Sequence, residues 1–317
     1  LQNRINDLKK TVVIMPGDTS EFILALSTVT RMAAESENEI LMIIEQHLAA
    51  LCKILSPIPY VLSDAHDRHG IDELNTILKR EAFETVLDLS SFSTQSWLYP
   101  KLTSQKKVSL FEEKNKKSVS GQSIIRTHKT EDFSQLFGIS AAEPHLWPGI
   151  TIECDPEYEG MIVLCPGAVK GAGRHWPYFS DLIKYLSSQE FVILGGEGDI
   201  DLCKNLAPRL PHRVRNLAGK LSLADAGAVM SGASVVISND SEYLHLSGYI
   251  GAPTIGLFGS SSPTRTRPLG SKSRTLYADI LCSPCDMEVC SGMHLECMSR
   301  LTIDMVVKKM NDLEIKM

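Results

Sequence analysis

ASVVISNDSEYLHLSGYIGAPTIGLFGSSS, residues 233–262, reads as a buried strand, a polar turn, a short helix and a second buried strand. Residues 234–238 are β-branched or small and end at Asn239, Asp240 and Ser241, all good N-cap residues for a helix carrying Tyr243, Leu244, Leu246 and Ile250. With the apolar run 254–258 the stretch makes a parallel β-α-β unit. Such a unit turns free backbone N–H groups and the positive end of a helix dipole toward the carboxyl edge of the sheet, where anionic ligands bind. Ser241 and His245, four apart, share one helical face there, with Asp240 just ahead of them.

The same alternation extends in both directions. Strand-like runs at 11–15, 40–44 and 85–89 are interleaved with helical patterns at 21–34 and 46–55. After a passage at 145–150 that contains Pro and Gly, a second series follows at 161–165, 191–194, 214–216, 234–238 and 254–258. Two doubly wound α/β domains are the natural reading, residues 1–152 and 153–317, each turning its carboxyl edge toward a cleft. Ser222 with Asp225 three residues on marks the start of a helix over 223–230. Ile303, Val306, Val307, Met310 and Leu313 predict a packing helix at the end of the chain.

Bulk composition narrows the class. With 317 residues, 43% hydrophobic and 22% charged, the chain is an ordinary globular protein long enough for two domains. A net charge of -6 argues against nucleic acid as a partner. Charge is uneven: between Lys101 and Lys129 only Glu112 and Glu113 oppose many Lys and Arg. A solvated loop accounts for that stretch, and a site facing an anionic acceptor or a membrane surface is the sharper alternative. The polar start, LQNRINDLKK, lacks the apolar core of a signal peptide, and no run approaches the roughly 18 apolar residues of a spanning helix. A cytoplasmic protein, with peripheral membrane contact as an option, is the expectation.

Four segments together resemble glycosyltransferase family 9, the ADP-heptose heptosyltransferases: PGAVKGAGRHWP (166–177), VILGGEGD (192–199), NLAGKLSLADAGAVMSGASVVISNDSEYLH (216–245) and GAPTIGLFGSSSP (251–263). The likeness covers most of the second half. In the first half it rests on VVIMPGDTSEFILALSTV (12–29) and VLDLSSFSTQSW (86–97). The resemblance implies an α/β GT-B fold of two Rossmann-like domains, the first holding an acceptor and the second a nucleotide-sugar donor. It also implies inverting transfer of a heptose, with ADP-heptose as donor and a glycolipid (lipopolysaccharide core) or protein as acceptor, and no cofactor for the chemistry.

The resemblance assigns residues as well. Gly17-Asp18 matches a pair whose carboxylate takes the acceptor proton, with Glu21 as the rival; both acids also suit the positive end of the first helix. Arg174 stands where the family carries a phosphate-binding Lys, a role a guanidinium can keep, and Lys170 adds a second cation. Glu197 matches an acid that contacts the nucleotide ribose. Asp240, Ser241 and His245 match the donor-binding turn, with Ser241 for phosphate and Asp240 for sugar hydroxyls or for ordering the turn. Glu242 departs from a position that is usually Gly and brings like charge to a diphosphate. A non-catalytic member that binds a nucleotide sugar or a partner is therefore the alternative.

Eight cysteines are unevenly spread. Cys282, Cys285, Cys290 and Cys297 fall in CSPCDMEVCSGMHLECM with His294 among them. The C-x2-C half is a tetrahedral thiolate knuckle, and the other two cysteines can close a structural zinc or iron site. Free thiols and disulfides remain alternatives, the latter disfavoured in a reducing compartment. Cys52, Cys154, Cys165 and Cys203 read as buried small hydrophobes.

Overall fold

The structure is a computed structural model and describes residues 10–35, 39–62, 68–90, 98–104, 106–109, 128–137, 152–168, 174–206, 212–292 and 294–315. The chain separates into two compact units, Leu1–Glu143 and Pro144–Met317.

In the first unit the described elements run β1 (Lys10–Ile14), α1 (Thr19–Glu35), β2 (Glu39–Ile44), α2 (Ala49–Leu55), β3 (Tyr60–Leu62), α3 (Arg68–Arg80), β4 (Thr85–Asp88), β5 (Lys106–Ser109) and α4 (Lys129–Phe137). The five strands are parallel in the order β3-β2-β1-β4-β5. Val12 and Ile14 of β1 pack with Ile43, Val86, Leu74 and Leu78 in one core, so α3 is fixed by its apolar face. Two differences from the sequence reading have local causes. The expected helix 46–55 begins as a 3-10 turn, Gln46–Leu48, because neither Glu45 nor Leu48 caps an amide with its side chain and the tighter i→i+3 pattern satisfies the first N–H groups. Part of the basic stretch read as a loop is the edge strand β5, and its last residue, Lys129, opens α4. Charged side chains at an edge discourage pairing with another chain, so the charge pattern concealed a strand. Residues 110–127 of that stretch lie outside the described residues.

In the second unit the described elements are β6 (Ile162–Cys165), α5 (Phe179–Tyr185), β7 (Phe191–Ile193), α6 (Ile200–Leu206), β8 (Val214–Asn216), α7 (Leu223–Ser231), β9 (Val235–Asn239), α8 (Glu242–Tyr249), β10 (Thr254–Phe258), α9 (Pro263–Thr266), β11 (Ser273–Tyr277), α10 (Glu296–Ser299) and α11 (Ile303–Asn311). Six parallel strands lie in the order β11-β10-β9-β6-β7-β8. Every residue of β9 and β10 is buried, as expected for central parallel strands covered on both faces. Strand β11 was not read from the sequence; SRTLY has one fully buried position and sits at the sheet edge.

The helix start marked by Ser222 forms as expected. Ser222 accepts a hydrogen bond from the Asp225 amide at 3.1 Å, while its hydroxyl reaches Asp225 Oδ2 at 2.6 Å. Thr302 caps α11 by accepting from the Met305 amide, and Val306 and Met310 bury their side chains in the core. Each such burial contributes about 1.5–3 kcal/mol, which fixes α11 against the sheet.

The chain order places the sites. Strand order reverses between β1 and β4 in the first sheet and between β6 and β9 in the second, and ligands of open α/β sheets bind outside the carboxyl ends at such switch points. Asp18 follows β1, while Pro166 and Asp240 follow β6 and β9.

Candidate active site

At the second switch point Asn239, at the end of β9, ties its own strand end to both ends of the connection that follows β6. Its side-chain amide donates to the Pro166 carbonyl at 2.7 Å, and its Oδ1 accepts from the Trp176 amide at 3.2 Å. Trp176 donates its ring N–H to the Leu301 carbonyl at 2.6 Å and packs edge-on against Phe179 with centroids 5.0 Å apart. The segment carrying Arg174 is thus anchored on both the sheet and the C-terminal elements. Sequence reasoning passed over Asn239 except as a cap; its signal was a buried amide at a strand end, which must find partners.

The charges gather on Asp240. Arg174 Nη1 donates to Asp240 Oδ2 at 2.7 Å, and His245 Nε2 lies 3.4 Å from Oδ1. Arg174 and Asp240 are each 6% exposed and His245 is 2% exposed. Burial alone would raise the Asp240 pKa, but His245, the nearby Ser261 and Arg174 outweigh it and hold the carboxyl below its usual value. The carboxylate is therefore ionised at neutral pH.

Among the described residues several buried polar atoms here lack a protein partner: Arg174 Nε, His245 Nδ1 and Ser260 Oγ make no hydrogen bond. Buried polar atoms are almost always paired, so their convergence on one sheet edge marks a place where a polar ligand can complete them. Ser241 occupies the N-cap position of α8 but makes no capping bond; its hydroxyl instead meets Ser238 Oγ at 3.2 Å. That corrects the expected cap. The helix itself is buried from Tyr243 to Tyr249, so its positive end is set into the sheet edge.

Glu242 is half-buried at the first position of α8. Burial pushes the Cys165 thiol well up, and Cys203, Glu242 and Asp199 add to it, so the Glu242 charge is felt at the last residue of β6. Glu197 is exposed in a short turn after β7. Asp199, which sequence reasoning did not single out, is the acid turned toward the strand ends. Its carboxylate accepts from the Gly196 amide at 2.9 Å, and a Cβ on Gly167 would stand 2.3 Å from it. His175 is half-buried; burial lowers its pKa against the opposing charge of Asp199. Lys170 lies outside the described residues.

In the first unit Asp18 is exposed and accepts from the Glu21 amide at 2.9 Å, so one carboxylate oxygen caps α1. Glu21 is ion-paired with Lys129 of α4, which reduces its availability as a base. Gly17 lies against Glu45 at the end of β2, where a Cβ would come 2.2 Å from the carboxylate. His47 Nδ1 is 3.4 Å from the other oxygen of Glu45. Neither Glu45 nor His47 was singled out from the sequence, because nothing in the local pattern reports that β2 ends beside Gly17.

The four C-terminal cysteines share one cavity. Cys282, Cys285, Cys290 and Cys297 line a space of about 60 Å³ together with Ser260, Met287 and His294. Burial raises the Cys297 pKa, and the other three thiols raise it further. Among the described residues no three His, Cys, Asp or Glu side chains form a ready-made metal cluster. The donor set of four sulfurs and an imidazole around one cavity nonetheless suits a thiophilic ion. Of the remaining cysteines Cys52, Cys165 and Cys203 are buried as expected, with Cys52 and Cys203 pushed up to about 12 by burial, whereas Cys154 is only half-buried.

Comparison with known proteins gives this architecture its class. The chain superposes on E. coli ADP-heptose LPS heptosyltransferase II with a TM-score of 0.75 at 19% identity, covering 96% of this chain and 98% of that one. The iron-containing dodecameric glycosyltransferase TibC from enterotoxigenic E. coli follows at 0.64 and 13% identity, over 97% and 76%. The fold is GT-B. Residues 71–295 match the sequence model of glycosyltransferase family 9 (heptosyltransferase), and the chain belongs to that family. Lipooligosaccharide heptosyltransferase 2 of Haemophilus influenzae is 29% identical over 165 residues, 48% of this chain and 47% of that protein. The chain thus spans about half the length of the curated relatives it matches.

Among the described residues no helix is long and apolar enough to cross a membrane.

Proposed function

We propose that the chain is an inverting glycosyltransferase that moves a heptose, or a related sugar, from an ADP-linked donor to a lipopolysaccharide-core acceptor, with residues 153–317 holding the donor and 1–152 the acceptor. One observation carries this reading: the buried Arg174–Asp240–His245 group at the β6/β9 reversal, in which Arg174 Nε and His245 Nδ1 lack protein partners among the described residues, as does the Ser260 hydroxyl. Family membership supports the reaction class. The names of the relatives support the sugar, and ADP with a heptose analogue in a crystal structure of WaaC supports the nucleotide. A glycolipid acceptor brings the protein into peripheral contact with a membrane surface from the cytoplasmic side.

In this mechanism the acceptor hydroxyl attacks the anomeric carbon from the face opposite the diphosphate. Its proton passes to Asp18, and the electrons of the breaking C–O bond go to the leaving diphosphate. Arg174 and the amides at the start of α8 stabilise that developing charge, the electrostatic contribution that is usually largest. Asp240 holds Arg174 in place and Ser241 offers a hydroxyl to phosphate, while Glu197 receives ribose hydroxyls. The transition state is oxocarbenium-like, as in glycoside hydrolysis. No cofactor is assigned to the chemistry. Cys282, Cys285, Cys290 and Cys297 would hold a structural zinc or iron, which would close the loop and supply no reacting atom.

Glu242 favours a second reading, a non-catalytic nucleotide-sugar binder, because its charge stands by the end of β6 where a diphosphate would rest. Turnover of ADP-heptose with a core oligosaccharide acceptor separates the two. Transfer by the purified protein that is lost in Asp18→Ala supports the first; tight donor binding without transfer supports the second.

A further inference from the structure

The cysteine loop is bonded to the donor-side turn that follows β10, and the bonds run through the backbone of that turn. The amides of Cys285 and Asp286 both donate to the Ser260 carbonyl, at 3.0 and 2.8 Å. The Ser283 hydroxyl donates to the Gly259 carbonyl at 2.5 Å. Ser260 itself lines the cavity shared by the four cysteines. The turn neighbours the one that carries Asp240, because Leu257 near the end of β10 pairs with Asn239 at the end of β9, and Ser260 and Ser261 are both 3% exposed. Asp286 holds a left-handed backbone, φ 55, which a non-glycine residue adopts at a cost and keeps only when its surroundings impose it.

We infer that Ser283 and the Cys285–Asp286 amides are positioning groups for the donor site: the cysteine loop braces the 259–261 turn against Asp240, so that nucleotide affinity follows the state of the loop. The inference rests on the donor reading given above. Physically, two adjacent carbonyls of a buried turn take three donors from one loop. If the loop relaxes, those carbonyls lose three donors and must find water, and the turn that carries the Ser260 and Ser261 hydroxyls loses the bonds that hold it in place. The four thiols line one cavity with Ser260, so an ion held by them would act on the donor site at a distance, through Ser260 rather than by contact with the sugar nucleotide.

The test uses the full chain and ADP as probe. ADP affinity is measured by calorimetry for protein loaded with zinc or ferrous iron, for protein stripped by chelator under reducing conditions, and for loaded Ser283→Ala and Ser283→Thr. Expected is about tenfold weaker ADP binding on stripping and in Ser283→Ala, with affinity restored in Ser283→Thr, which keeps the hydroxyl. Hydrogen exchange at the Cys285 and Asp286 amides gives a second readout that needs no nucleotide, and faster exchange on stripping is expected. Equal ADP affinity in all four samples overturns the brace, as does unchanged exchange on stripping. If the loaded protein binds no ADP at all, the donor reading fails, and the exchange measurement still decides the brace.

Discussion

Replacing Asp240 by Asn keeps the shape of the side chain and removes its charge, leaving the Arg174 guanidinium 6% exposed with no counter-ion. Breaking one partner of a buried ion pair costs about 3–5 kcal/mol, because the surviving charge is neither solvated nor compensated. The amide oxygen of Asn can still accept from Nη1, which places the expectation near the lower end, about 3 kcal/mol. For a unit of this size each kcal/mol moves the unfolding midpoint by roughly 2–4 °C, so a fall of roughly 6–12 °C is expected. Urea and thermal unfolding followed by Trp176 fluorescence, with Trp97 and Trp147 replaced by Phe, reports on the right region, since Trp176 lies two residues from Arg174. The double variant Arg174→Met/Asp240→Asn removes both charges and should recover most of the loss, leaving it well above the stability that the sum of the two singles implies. An Asp240→Asn cost below about 1 kcal/mol, or a double variant as unstable as the sum of the singles, would refute the reasoning.

Other outcomes follow from the same geometry. Asp18→Ala should lower turnover by about 10²–10⁴-fold if Asp18 is the base, and should also cost about 0.5–2 kcal/mol through the lost cap on the Glu21 amide; unchanged turnover removes Asp18 from the chemistry. Glu242→Gly should tighten ADP binding by removing like charge near the end of β6, and weaker binding would show that the carboxylate helps the site. Two groups set the acid limb of stability in the second unit. The His175 pKa is lowered in the fold, so its contribution is present above the unfolded value of about 6.5 and is lost as pH falls below it. Asp240 is also lowered, so its contribution holds above about pH 4 and is lost as pH falls through the folded value. His175→Gln should abolish the first loss and leave the second, and a single unchanged acid transition would contradict this. Purified protein should carry close to one equivalent of zinc or iron by elemental analysis, and less than about half an equivalent counts against a closed four-thiolate site.

Much of this was legible along the chain. Apolar runs of five bounded by Asn, Asp and Ser identify parallel strands without any contact information, since strands covered on both faces need no alternation. Ser222 with Asp225 announced a helix start because a cap is a contact between near neighbours. Strands β3, β5 and β11 were not legible, because at these sheet edges YVL, KKVS and SRTLY carry no five-residue apolar run bounded by turn residues.

The sequence by itself determined the doubly wound class, the residues eligible for the site and the four-cysteine loop, all of which depend on spacing within a few residues. Tertiary structure alone decided which of them meet. Arg174 and Asp240 are 66 positions apart and form one buried pair because β6 and β9 are neighbours in the sheet. Glu21 finds Lys129 across 108 positions, and Cys285 finds Ser260 through a loop that folds back on β10. Local pattern fixes what each strand end carries; the order in which strands pair fixes which ends lie side by side, and that order is set by the packing of the whole sheet.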